Sequence, residues 1–143
     1  MARTPFPVEV LTPEGSVFVG EVEMLSTRTE VGEIGVLANH TPLLAMLVPA
    51  DLRLHLSETE LKHFAQGEGY LQVHDNHALV LVEDCFEPES IDRAEQEDRL
   101  RKAEAVLAEA KTPADLVSAR CAQALRDKRR AETFLRIAGA GGD

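Results

Sequence analysis

The side chains able to do chemistry are thinly spread in this sequence. Its five histidines are scattered, and His74 and His77 flank an Asp75-Asn76 pair with no third ligand beside them. A metal site needs more donors than that, so the pair reads as the polar end of a turn. Cys85 and Cys121 are far apart and match neither a CxxC pair nor a zinc spacing; they are expected to be reduced thiols. No GxSxG elbow, Cys-His pairing or Walker loop occurs. The "GEG" at 67–69 lacks the strand-to-helix setting of a nucleotide fingerprint and reads as a bend between strands. Glu9, Glu14, Glu21, Glu23 and Glu30 are distributed over strands and turns, as on a solvated acidic face. The chain is therefore expected to have no catalytic residue, no metal site and no cofactor.

What stands out instead is "GEIGVLANHTPLL" at 32–44, which packs glycines, Glu33, His40 and a Thr41-Pro42-Leu43 step into one short stretch. Gly32, Gly35 and Pro42 shape turns. A stiff loop of that kind is suited to gripping another surface.

The elements that would position this loop have period two. Phe6, Val8 and Val10 alternate with Pro7, Glu9 and Leu11, and Thr12-Pro13-Glu14-Gly15 makes a turn. Val17-Phe18-Val19 and Val22-Glu23-Met24-Leu25 read as the next strands. Leu52, Leu54 and Leu56 alternate with Arg53, His55 and Ser57, and "SETE" at 57–60 turns the chain back. The clearest hairpin is "YLQVHDNHALVLV" at 70–82, where Asp75-Asn76 tolerates the left-handed backbone of a tight turn. Many short strands between turns predict an antiparallel β-sandwich.

Beyond residue 88 the spacing becomes helical. Ser90 is a plausible cap for a first helix from Glu89 to Ala110, with Asp92 in its first turn and a stripe of Leu100, Ala103, Leu107 and Ala110. "TPAD" at 112–115 carries Thr112 as cap, Pro113 at the first helical position and Asp115 in a box-like pattern. A second helix, Ala114 to Ala138, would present Val117, Cys121, Ala124, Ala131, Leu135 and Ala138 on one face. So short a connection makes the helices antiparallel. The fold class is α+β by content: a β-sandwich domain over 1–88, then a helical hairpin over 89–143 joined through "EDCFEPES", with a disordered tail at 139–143.

Composition supports this division. The net charge is −10, which argues against nucleic acid as a partner. Residues 1–88 hold all of that excess, with four bases (Arg3, Arg28, Arg53, Lys62) against fourteen acids; residues 89–143 carry eleven of each. A hydrophobic fraction of 44% suffices for a core, and the longest apolar run, from Leu43 to Pro49, cannot span a bilayer. The opening Met1-Ala2-Arg3-Thr4-Pro5 lacks the apolar stretch of a signal peptide, so neither export nor direct membrane insertion is expected.

A sandwich followed by a helical hairpin, in this order and size, resembles the epsilon subunit of F-type ATP synthases (delta in mitochondria). The resemblance is carried by "FPVEVLTPEGSVFVGEVEML", by "GEIGVL" with "NHTPLL", by "FAQGEGYLQV" and by "HALVLVED". It implies a non-catalytic central-stalk subunit at the cytoplasmic face of the cell membrane, held between the gamma subunit and the c-ring during proton-driven ATP synthesis. It assigns Glu33 and His40, with Thr41, Pro42 and Leu43, to those contacts. It further implies a regulatory hairpin that blocks ATP hydrolysis by meeting the catalytic alpha and beta subunits, for which Arg126, Lys128, Arg129 and Arg130 are the candidate contacts. Some members bind ATP through an I-D-x-x-R-A stretch and arginines of the second helix. Here Ile91, Asp92 and Arg130 fit, but Glu95 and Gln96 replace the Arg and Ala, and Phe134 falls on an arginine position. An acid near phosphates opposes binding, so no bound ATP is expected. The rival reading is a free-standing sandwich adaptor with a helix-binding hairpin; a third is a small-ligand module at the Gly67–Tyr70 bend.

Overall fold

The computed structural model describes residues 3–140. Ten strands open the chain: β1 (Phe6–Thr12), β2 (Gly15–Val22), β3 (Met24–Thr29), β4 (Gly32–Val36), β5 (Leu43–Leu47), β6 (Ala50–His55), β7 (Leu61–Gln66), β8 (Gly69–His74), β9 (His77–Val82) and β10 (Cys85–Phe86). Their hydrogen-bonded order is β10-β7-β6-β3-β5-β8-β9-β1-β2, with β4 added to β3. The path folds over at the single Thr29–Leu47 pair, giving a sandwich with β5, β8, β9, β1 and β2 in one layer and the rest in the other.

The period-two pattern sets which side chains enter the core. Phe6, Val8 and Val10 are buried, and they meet Leu71, Val73, Val80 and Val82 of their own layer and Leu25, Leu52, Leu54 and Phe64 of the other. Leu56, expected to continue the alternation of β6, lies beyond its last residue, His55, and is only partly buried. Glu23 breaks the expected Val22–Leu25 strand, so that Val22 closes β2 and Met24 opens β3. One pairing departs from the antiparallel rule: β1 runs parallel to β9, with Val8 opposite Ala78 and Leu11 opposite Leu81. Sequence patterning sees the faces of a strand but not its neighbour, so this was not foreseeable.

The turns behave as their residues dictate. Asp75 and Asn76 have φ of 49° and 62°, the left-handed pair of a two-residue hairpin turn. Gly69 must be glycine for another reason: a Cβ there would lie 2.7 Å from Val82 Cα, inside the backbone of the paired strand.

The second compact unit spans 88–143, the first 1–87. A 3₁₀ turn (Pro88–Ser90) leads into α1 (Arg93–Ala108), α2 (Pro113–Leu116) and α3 (Ala119–Ala140). Ser90 is not the cap of α1. Asp92 is, accepting from the Glu95 amide at 3.1 Å, because Pro88–Ser90 already forms its own turn. At "TPAD" the capping box is complete, with Thr112 and Asp115 bonded reciprocally and Pro113 in the first turn. The expected single helix from Ala114 is broken at Val117-Ser118. There the Ser118 hydroxyl donates to the Asp115 carbonyl at 2.7 Å and accepts from the Cys121 amide at 3.2 Å, restarting the chain as α3. Val117 is consequently 82% exposed rather than part of the buried face. Of the tail expected at 139–143, Gly139 and Ala140 close α3, and 141–143 lie outside the described residues.

The hairpin seam also differs from the expected stripe. On α1 only Gln96 and Ala103 are buried, while Leu100 and Leu107 remain half-buried. On α3 Cys121, Ala124, Ala131 and Ala138 are buried as expected, joined by Phe134, Ile137 and Arg130. The small side chains let the helices approach closely, and a polar pair fills the space at one end.

Candidate functional site

The sandwich loop between β4 and β5 is built on two anchors. Ala38 and Leu43 pack against the core at either side of it. Between them Asn39 takes φ 62°, a left-handed angle that asparagine tolerates, and the His40 amide closes the turn on the Leu37 carbonyl at 3.3 Å. His40 is half-buried with Nδ1 2.7 Å from the Thr41 carbonyl, while Thr41 and Pro42 are exposed. Four of the five sequence-nominated interface residues, His40, Thr41, Pro42 and Leu43, thus form one contiguous knob.

Glu33 is not among them. It stands at the opposite end of β4, opposite Arg28 of β3, whereas Val36 pairs with Leu25. At about 3.3 Å of rise per residue the strand separates Glu33 from the loop by more than ~10 Å. Its own surroundings are the turn Thr29–Gly32, where the Thr29 hydroxyl donates to the Gly32 carbonyl at 3.0 Å and accepts from the Val31 amide at 3.2 Å. Gly32, at φ 136°, supplies an angle that side chains disfavour. This turn holds Val31 out at 99% exposure between Glu30 and Glu33, an apolar tip between two carboxylates.

A larger feature escaped the sequence. On the outer face of the β5 layer, Met46 lies opposite Tyr70, Tyr70 opposite Leu81, and Leu81 opposite Leu11. Met46 and Tyr70 are 52% and 48% exposed, Leu81 is exposed, and Leu44, next on β5 towards the loop, is 71% exposed. An apolar ladder across four strands, running from the His40 loop over the sheet, is the kind of contiguous patch that marks an interaction surface. No single strand reveals it, because each contributes one or two outward residues to a pattern that otherwise reads as edge or solvent.

In the hairpin, the four nominated cations do not form one surface. Arg126 is exposed and donates to Gln123 Oε1 at 2.6 Å; Arg129 is exposed and Lys128 half-buried. Arg130 is 8% exposed, stacked 4.5 Å from the Phe134 ring centroid and donating to Gln96 Oε1 at 3.3 Å. At the start of the hairpin Asp92 is occupied in capping α1, Ile91 donates its amide to the Pro88 carbonyl at 3.4 Å, and Glu95 holds Arg99 at 2.8 Å. A cleft of about 390 Å³ between α1 and α3 is lined by Arg99, Lys102, Arg120 and Arg130 together with Asp127.

Among the described residues no group of three or more histidine, cysteine or carboxylate side chains could hold a metal. His74 and His77 are register partners at the hairpin tip, and His74 Nδ1 sits 3.2 Å from Asp75 Oδ2. Burial pushes the Cys85 thiol up to about 12, which leaves it unreactive at neutral pH. No helix among the described residues is long and apolar enough to cross a membrane.

The fold and this surface define a class: a β-sandwich carrying a helical hairpin, with an exposed apolar face joined to a protruding loop. Residues 5–88 match the family described as ATP synthase, delta/epsilon chain, beta-sandwich domain. The chain is 41% identical over 134 residues to the ATP synthase epsilon chain of Persephonella marina, covering 94% of this chain and 96% of the relative. It is 32% identical over 131 residues to that of Ligilactobacillus salivarius, covering 92% and 88%. A chain in the mitochondrial ATP synthase OSCP/F1/c-ring structure of Euglena gracilis shares the fold, with a TM-score of 0.71 at 19% identity over 95% of this chain and 81% of that one. This protein belongs to the ATP synthase delta/epsilon chain family.

Proposed function

We propose that this chain is the non-catalytic central-stalk subunit of a proton-translocating F-type ATP synthase. In this reading it is peripheral at the cytoplasmic face of the cell membrane and transmits c-ring rotation to gamma. The observation that carries the reading is the apolar ladder of Leu44, Met46, Tyr70 and Leu81 continuous with the His40 loop, on a chain of this family. A subunit that transmits torque has to be gripped by more than one neighbour. The two ends of β4 provide for this: the acidic Val31 tip with Glu33 at one end, the His40 knob and ladder at the other. Membership of assemblies such as the F1/c-ring complex in which the Euglena chain sits supports the same reading.

The hairpin acts as a brake on ATP hydrolysis. Exposed Arg126 and Arg129 with Lys128 are suited to acidic segments of the catalytic subunits, and Arg130 serves inside the hairpin. ATP does not bind here tightly, because Glu95 brings an acid to the place of a cation and already engages Arg99. Two measurements test the proposal. A tagged chain should co-purify gamma and ATPase activity; a chain that brings down neither is an adaptor of another kind. Ending the chain after residue 88 should raise hydrolysis by the assembled enzyme, and an unchanged rate refutes the brake.

A further inference from the structure

The His40 loop is not self-supporting. Within 37–42 the local bonds are the long His40 amide to Leu37 carbonyl contact at 3.3 Å and the His40 ring to the adjacent Thr41 carbonyl. Its one described hydrogen bond to another part of the chain runs from the Asn39 amide to Asn76 Oδ1 at 2.6 Å, spanning 37 residues of sequence. Both ends of this bond are held by unusual backbone. Asn39 and Asn76 each have φ 62°, and Asp75 has φ 49°. Each tip therefore presents its bonding group in a fixed direction, and Leu43 opposite Val73 brings the two tips side by side.

We infer that Asn76, outside the nominated loop, is a positioning residue that pre-orders the 37–42 knob for docking. The inference rests on the proposed function above, since it concerns how the same surface is made ready. A loop that is ordered only part of the time binds with its affinity scaled down to that ordered fraction. A single hydrogen bond exposed to water contributes modestly, which corresponds to a factor of about five in affinity.

The position allows the two roles of Asn76, turn former and acceptor, to be separated. Asn76→Gly keeps the left-handed turn, and Asp-Gly is among the strongest sequences for it, but removes the acceptor. Asn76→Asp keeps an acceptor oxygen at the same place and serves as the rescue variant. Using the full chain, amide exchange of 37–42 and affinity for synthase depleted of this subunit are measured, with thermal unfolding alongside. Asn76→Gly should unfold at or above the parent temperature, yet exchange the loop amides faster and bind about five-fold more weakly; Asn76→Asp should match the parent in all three. Wild-type affinity for Asn76→Gly, or equal weakening in both variants, overturns the inference. Met46→Lys on the ladder separates this from failure of the functional reading. If Met46→Lys weakens binding and Asn76→Gly does not, only the positioning role falls. If neither does, the face is not the docking surface and both fall.

Discussion

Gly69→Ala should destabilise the sandwich although general propensity argues the opposite. In an ordinary strand, replacing Gly with Ala lowers the entropy of the unfolded chain and stabilises by a few tenths of a kcal/mol or more. Gly69 lies between two strands, opposite Leu47 of β5 and Val82 of β9. An added methyl would sit 2.7 Å from Val82 Cα and 2.8 Å from the Leu81 carbonyl carbon, closer still to its oxygen, and all three are backbone atoms. Side-chain rotation cannot relieve that; the β8–β9 pairing itself must open. Overpacking of this kind costs about 2 kcal/mol. For a domain of this size the cost lowers the unfolding temperature by roughly 10 °C. Gly35→Ala supplies the contrast within the same sandwich, since its methyl meets only the Met24 terminal methyl, at 2.9 Å, which can swing aside. Its effect should stay within about 0.5 kcal/mol. Thermal unfolding of the full chain, followed by the sandwich signal in hydrogen exchange, distinguishes the two. A Gly69→Ala chain as stable as the parent would refute the claim that backbone approach dictates this glycine.

Other consequences concern burial and protonation. Arg130→Leu should loosen the hairpin by about 2 kcal/mol, by stranding buried Gln96 Oε1 and removing the stack on Phe134, and Gln96→Leu added to it should recover most of the loss, as read by a double-mutant cycle in denaturant. Cys85, raised from 9.0 to about 12 by burial, should resist thiol reagents at pH 8 until the chain is unfolded, with only about one thiol in ten thousand ionised. Because the unfolded chain ionises first, stability should be undiminished below pH 9 and decline from there towards pH 12, and Cys85→Ala should flatten that decline. Asp115 is held below the usual carboxylate range by the Lys111 amide, then by the Thr112 hydroxyl and amide. Its support for the α2 corner is present above the ordinary aspartate pKa and should be lost as pH falls through the depressed one, seen as an acid-induced rise in exchange of the 111–115 amides, a pH step that the Asp115→Asn chain should lack.

How legible the fold was depended on how local the cause is. The Asp75-Asn76 turn and the Thr112–Asp115 box are decided within four residues by backbone angles and nearby acceptors, and both stand where the sequence placed them. The alternation of Phe6, Val8 and Val10 needs only one strand, so its buried face was readable too. The hairpin seam was legible only in part. The stripes rightly held Ala103, Cys121, Ala124 and Ala131, through which the helices meet, but gave Leu100 and Leu107 an equal place. That close approach leaves the longer leucines half outside and encloses Gln96 with Arg130. Hydrophobicity along one helix carries no information about how near its partner comes.

The site shows the same division more sharply. Leu11, Met46, Tyr70 and Leu81 are spread over most of the sandwich sequence, and nothing in any one strand marks them as companions. They become one surface only through the strand order, including the parallel β1–β9 pair that no turn between neighbouring strands could specify. Conversely, Glu33 and His40 are seven positions apart in a single motif, yet β4 carries them to opposite ends of a strand. Sequence proximity therefore overstated one association and concealed another. Both errors have one source: a strand sends its successive residues along its length, whereas a surface is assembled across strands. In the proposed function the two grips would stand at places that β4 holds apart, so that the stiffness of that short strand would matter as much as the chemistry at either end.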